Sequence, residues 1–174
     1  EGVFIEFNRD SIDAWLRDPE LGALSQKYAQ CYKEFCESKE WTVTTLRDAR
    51  YVLMHTFAHL LIKQMSMSSG YSSSAIRERI YFGDDMSGVL LYTGSADKEG
   101  SLGGLVELGN IDQLIVLMKD AFQEALVCTN DPECLNNVPA DNNSNGAACH
   151  SCCMISETAC ENGNRMLSRT NCAY

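Results

Sequence analysis

Cysteine sets the chemistry open to this chain. Cys128 and Cys134 are separated by five residues, Cys149 and Cys152 by two, and fourteen residues lie between the pairs. Zinc takes four soft ligands in a tetrahedron, usually delivered as two close pairs that the fold brings together. Cys149-His150-Ser151-Cys152 has the length of a zinc knuckle, and Asp131-Pro132 can make the turn that folds the wider Cys128–Cys134 pair together. The spacing therefore points to Zn2+ held by Cys128, Cys134, Cys149 and Cys152. Four protein ligands leave no position for water, so such a site is structural and not hydrolytic. His150, Cys153 and Cys160 are spare donors nearby. Consecutive residues serve one tetrahedral ion poorly, which counts against Cys153 and leaves Cys160 as the substitute for one member. An iron–sulfur cluster on the same thiolates is the competing metal reading.

Other residues offer chemistry with weaker signals. His55 and His59, four apart on a helical pattern, share a face. A metalloprotease helix places Glu directly after the first histidine; Thr56 stands there, so the general base is missing. Two readings follow: a metal-dependent hydrolase using this pair, or buried, hydrogen-bonded core histidines, with the second favoured. Ser72 to Arg79 supports either a phosphate cradle with Arg77 and Arg79, or a capped helix whose arginines pair with Glu78, Asp84 or Asp85. Gly100, Gly103 and Gly104 match no nucleotide-loop pattern. Asn162, Asn164, Arg165 and Arg169 follow the knuckle, where they either meet nucleic acid or a partner, or fasten the last helix around the zinc. A thiol redox-sensing module is a third function class. Cys31 and Cys36 sit in a helical pattern and read as ordinary packing residues.

The elements that must position these groups follow from periodicity. Gly2 to Phe7 reads as a strand, Asp10 or Ser11 as the cap of a short helix to Leu16, and Pro19 as the start of a helix to about Glu37. Thr44 or Thr45 caps a third helix, Leu46 to Met67, apolar nearly all round and hence central; Gly70 stops it. A brief helix or strand from Ala75 leads to Phe82, a turn spans 83–87, and Val89 to Thr93 is a strand. Residues 94–104 read as a loop, and Asn110 caps a helix from Ile111 to Val127 with Ile111, Leu114, Ile115, Met118, Phe122, Ala125 and Leu126 on one face. Residues 136–147, rich in Asn, Asp, Ser and Gly, read as a flexible insertion closed by the metal, and Thr158 to Arg169 as a last short helix. The expected fold is α+β: a central buried helix, a small antiparallel sheet and a C-terminal zinc knuckle. Residues 1–43 supply a strand and helices packed on a zinc-binding core of residues 44–174.

Composition narrows the function. The formal net charge is −10, and residues 101–174 set Lys119, Arg165 and Arg169 against nine acidic residues. That argues against strong charge-driven nucleic-acid binding by this segment alone, since phosphate affinity comes mainly from Lys and Arg, and leaves room for an assembly in which another chain or domain supplies the positive surface. No apolar run reaches the roughly 20 residues of a membrane span. Nine cysteines, odd in number and clustered toward one end, fit a reduced, cytoplasmic protein better than a disulfide scaffold. An opening at Glu1, without Met, is expected of a piece of a longer protein.

The residues also carry a resemblance. His55-Thr-Phe-Ala-His59-Leu-Leu, Gly70-Tyr-Ser-Ser-Ser-Ala-Ile-Arg-Glu-Arg-Ile-Tyr81, Gly88-Val-Leu-Leu-Tyr-Thr-Gly-Ser95 and Glu99-Gly-Ser-Leu-Gly-Gly104 are similar to the domain of unknown function 1998, the MrfA-type zinc-binding domain. Asp131-Pro132, Ala148-Cys-His-Ser-Cys152, Glu157-Thr-Ala-Cys160 and Asn164-Arg-Met-Leu-Ser-Arg169 fit the same family, in consistent order. The long gap between the cysteine pairs resembles the DrmB branch, found in the bacterial DISARM anti-phage system, more than the compact version attached to DNA repair helicases. Ser168 departs from the pattern, which has Asp before the last Arg. The resemblance implies that Cys128, Cys134, Cys149 and Cys152 are ligands. It implies a non-catalytic accessory module of a DNA helicase or translocase assembly in phage defence. The partner is then a helicase subunit or fused helicase domain, with DNA met through the assembly and no membrane involved.

Overall fold

Apolar residues on every side of one helix require that it be surrounded. The computed structural model describes residues 1–72, 74–83, 86–93, 104–140 and 143–172. Its elements run β1 (Gly2–Glu6), α1 (Arg9–Trp15), α2 (Pro19–Ser38), α3 (Ala49–Ser69), β2 (Ile76–Phe82), β3 (Ser87–Thr93), α4 (Gly104–Leu108) and α5 (Ile111–Ala125), with a 3-10 turn at Arg169–Cys172. The class is α+β. Helix α3 is the axis: it packs against α2, α4, α5, β2 and β3, and fourteen of its 21 residues are buried.

Local chemistry sets the helix ends. Asp48, not Thr44 or Thr45, caps α3: its carboxylate accepts the Arg50 N–H at 2.9 Å and pairs with the Arg50 guanidinium at 2.8 Å. The helix therefore starts later than Leu46, which is exposed. Gly70, at φ 74°, ends it in the left-handed conformation that glycine tolerates. Asn8 caps α1, in place of Asp10 or Ser11, and Asp18 caps α2, with Pro19 in its first turn as expected.

The sheet order is β1-β3-β2, antiparallel throughout. The segment after Ala75 is thus a strand, not a capped helix. Ile76, Glu78 and Ile80 of β2 are buried, with Val89 and Leu91 of β3, whereas Arg77 and Arg79 alternate outward. The free edge of β2 is closed by the C-terminal segment: the Glu78 N–H donates to the Ala159 carbonyl at 3.2 Å and the Ile80 N–H to the Glu161 carboxylate at 3.1 Å.

Helix α5 buries Leu114, Leu117, Ala121 and Ala125 against α3, while Ile111, Ile115 and Leu126, expected on its inner face, are exposed. The small side chains at 121 and 125 allow the close approach of the two helices. The expected helix at 158–169 does not form. Gly163 (φ 57°), Asn164 (φ 56°) and Met166 (φ 62°) are left-handed, which a right-handed helix cannot contain, so the segment runs as tight turns. Between 136 and 147, Asn145 and Ala147 are buried; the Asn145 side chain donates to the Asn164 carbonyl at 2.9 Å and accepts the Leu167 N–H at 2.9 Å. Asp84, Asp85 and the glycine-bearing stretch 94–103 lie outside the described residues.

Candidate metal centre

Four thiols from two segments meet beside the end of α5. Cys128 and Cys134 flank a tight turn in which the Cys128 N–H donates to the Asp131 carboxylate at 2.9 Å and the Cys134 N–H to the Asn130 carbonyl at 3.0 Å. Cys149 and Cys152 belong to the knuckle, where Cys152, Cys153 and Met154 all donate backbone N–H groups to the Cys149 carbonyl. Sulfur–sulfur separations are 3.5 Å for Cys128–Cys149, 3.7 Å for Cys134–Cys152 and 3.7 Å for Cys149–Cys152. Zn–S bonds of about 2.3 Å place tetrahedral sulfurs about 3.8 Å apart, so this quartet has the dimensions of a zinc site. Cys128, Cys134 and Cys152 pack into one apolar cluster with Leu60 of α3 and with Ala121 and Ala125 of α5, which anchors the site to the central helix pair.

The surroundings suit thiolates. The Cys128 sulfur accepts the Asn130 N–H at 3.4 Å, and the Cys152 sulfur accepts the Cys149 N–H at 3.3 Å. A hydrogen bond from the Cys153 thiol, aided by the Cys149 N–H, draws Cys152 down to about 4. Burial pushes Cys134 up, and the neighbouring Cys152 reinforces it. Closely packed thiols cannot all ionise without a cation, because each thiolate raises the pKa of the next. Zinc with four thiolates carries a net double negative charge, and two cations stand beside it. Lys63 donates to the Ser151 and Cys152 carbonyls at 3.2 and 2.6 Å. Arg169 donates to the Ala125 carbonyl at 3.0 Å and to the Asp131 carboxylate.

The remaining sequence candidates fall in different places. Arg169 is only 1% exposed and is spent on this loop, so it is not a surface contact for nucleic acid or a partner. Arg165 is exposed and lies over the Phe35 ring at 4.7 Å. Arg77 and Arg79 are exposed on β2 and do not pair with Glu78, which points to the opposite face. Cys31 and Cys36 are buried on α2, apart from the quartet.

Cys160 is not beside the quartet. It joins His55, His59 and Glu78 in a second buried group whose donor atoms all lie within 4.8 Å of one another. His55 Nε2 is 2.8 Å from Glu78 Oε1 and 3.2 Å from the Cys160 sulfur; His59 Nε2 is 3.2 Å from Glu78 Oε1. Burial alone would lower the His55 pKa, but the Glu78 carboxylate and Cys160 override it and hold the ring at about 10. Sequence reasoning missed Glu78 as a partner of the histidines. The signal was there: in the alternation Ile76, Glu78, Ile80, a carboxylate occupies an inward position and needs a buried partner.

Residues 57–153 match the family of the MrfA Zn-binding domain (MZB). The chain is also 56% identical over 172 residues to the DISARM protein DrmB of Bacillus paralicheniformis, an alignment covering 98% of this chain and 31% of that relative. The chain thus spans less than a third of the curated relative it matches. It belongs to the MrfA Zn-binding domain family.

Proposed function

With membership of that zinc-binding family as the premise, we propose that this chain is a zinc-stapled accessory module, without catalytic groups of its own, that works inside a bacterial anti-phage assembly containing a DNA helicase. The observation that carries the reading is the closed quartet. Cys128, Cys134, Cys149 and Cys152 fill a tetrahedron among themselves and leave no place for a reacting water, so the ion they hold supplies a cross-link. The cross-link joins the end of α5 to the knuckle and holds a surface in shape.

That surface is suited to a protein partner. Leu126 and Val127, between the end of α5 and the zinc loop, are exposed apolar residues, and Ile111, Ile115 and Val116 are exposed at the other end of the same helix. The net charge of −10 favours a protein neighbour over direct DNA binding. Arg77 and Arg79 on β2 and Arg165 are exposed and are the candidate residues for any DNA contact made within the assembly. The similarity to a DISARM protein supports the defence setting.

The test is co-purification of the full-length protein, tagged, from cells that express its genomic neighbours. Recovery of a helicase is expected, and exchange of Ile115 and Val116 for Glu should weaken it. A lone monomer indifferent to DNA would overturn the reading.

A further inference from the structure

The group formed by His55, His59, Glu78 and Cys160 is not used by the proposed function. It is a group separate from the cysteine quartet, and it is wholly interior. The side chains of both histidines and of Glu78 have no solvent exposure, and Cys160 is buried. Its members come from three elements: α3, β2 and the C-terminal turns.

Hydrogen bonding fixes what these atoms can offer one another. His55 Nδ1 is 3.2 Å from the Met166 carbonyl and His59 Nδ1 is 2.8 Å from the Cys153 carbonyl. A carbonyl only accepts, so each Nδ1 carries the proton and donates it. In the neutral ring each Nε2 then presents a lone pair. Both lone pairs face the Glu78 carboxylate and the Cys160 sulfur, which are themselves acceptors when ionised. Four acceptors converging in a dry interior require positive charge among them. Either both imidazoles hold a second proton, or one divalent cation serves all four.

Three features favour the cation. Histidines that bind a metal through one nitrogen usually donate the other to a backbone carbonyl, and here both rings do so. The Cys160 sulfur accepts backbone N–H groups from Asn162 at 3.4 Å and Asn164 at 3.2 Å, the second aimed by left-handed Gly163 and Asn164. The same N–H-to-sulfur pattern supports Cys128 in the zinc quartet. Finally, Glu78 Oε2 is buried with no hydrogen-bond partner, a cost that a ligating carboxylate does not bear in the same way.

We propose that His55, His59, Glu78 and Cys160 form a second, closed metal site for Zn2+, independent of the cysteine quartet. Two neutral imidazoles, one carboxylate and one thiolate bring two negative charges, which neutralise the ion without any counter-charge nearby. Mixed nitrogen, oxygen and sulfur donors suit zinc. At Zn–N and Zn–O lengths of about 2.0 to 2.1 Å, tetrahedral neighbours lie about 3.4 Å apart, so the observed 2.8 to 3.2 Å separations need to open by only a few tenths of an ångström. The ion would tie α3 to the edge strand β2 and to the turn at Cys160, while the quartet ties the other end of the same segment to α5. The inference does not depend on which partner the module serves.

The experiment is zinc counting on the purified full-length protein by native mass spectrometry and elemental analysis, with zinc-edge absorption spectroscopy on the same sample. Two zinc ions in this chain segment are expected. Their averaged shell should hold five sulfurs and three nitrogen or oxygen donors shared between two ions. Glu78→Gln combined with Cys160→Ser should remove one ion and leave an all-sulfur shell; Cys128→Ser combined with Cys149→Ser should remove the other and leave a shell dominated by nitrogen and oxygen. One zinc with an all-sulfur shell in the unaltered protein would overturn the proposal, and that count decides even if a variant fails to fold. Two ions persisting after the Glu78 and Cys160 exchanges would overturn it as well.

Discussion

The Arg169 guanidinium donates to the Asp131 carboxylate across 38 positions of sequence, joining the last turn of the described chain to the loop between Cys128 and Cys134. The same side chain donates to the Ala125 carbonyl at the end of α5, so one buried cation fastens three segments around the quartet. Arg169→Ala leaves the Ala125 carbonyl without its donor, while the Asp131 carboxylate keeps the Cys128 N–H, and the unpaired carbonyl should destabilise the zinc-loaded fold by about 2 kcal/mol. Arg169→Lys should recover only part of this, because an ammonium lacks the planar fork that reaches two acceptors. Urea denaturation at saturating zinc measures both.

Cys149→Ser should cost one zinc ion per chain and lower the thermal midpoint by on the order of 10 °C, since the ion's binding free energy is folding free energy here. Elemental analysis and calorimetry on the same preparation check it. An unchanged metal count would remove Cys149 from the ligand set.

Gly146 has no room for a side chain. A Cβ there would meet the Ser168 Oγ at 2.7 Å and the Ser168 Cβ at 2.9 Å, with the Tyr28 hydroxyl closer still. Gly146→Ala should therefore destabilise by about 1 to 3 kcal/mol. Adding Ser168→Ala should return part of the loss, because the closest polar neighbour on one side is then gone. A double-mutant cycle in denaturant gives the coupling.

Tyr28 gives a pH dependence of known sign. Burial pushes its hydroxyl up to about 12, partly offset by the Ser168 hydroxyl. The unfolded chain gives up this proton near pH 10 and the folded protein does not, so stability is unaffected below about pH 10 and falls as the pH rises from there toward 12. Tyr28→Phe should flatten that limb, narrowing the wild-type excess loss between pH 9.5 and 11. Equilibrium denaturation of both proteins across that window tests it; parallel curves would assign the alkaline loss elsewhere.

Some of the molecule was legible in the order of residues. The central helix shows in apolar residues on every side from Tyr51 to Ile62, Gly70 marks its end, and Val89 to Thr93 is a short β-prone run between turn residues. The quartet shows because zinc ligands come in short pairs whose spacing is local. Caps and faces were less legible. Asp48 and Thr45 are both competent caps, and which one acts depends on where α2 and the C-terminal segment close over α3. The turns at 158–166 hide their left-handed backbone behind residues such as Met166, whose conformation is imposed by packing and not by its own preference.

By itself, then, the sequence determined which residues are able to bind a metal as a local pair and which helix had to be buried. Only the tertiary structure decided which distant groups meet. Cys160 reads in the sequence as a spare ligand for the quartet, and Glu78 as a partner for the neighbouring arginines. Folding carries Cys160 105 positions back to His55 and turns Glu78 inward by the two-residue period of its strand. The reason is physical: spacing encodes contacts within a turn or a knuckle, whereas a site assembled from a helix, a strand and a terminal loop exists only once the core has brought those elements together.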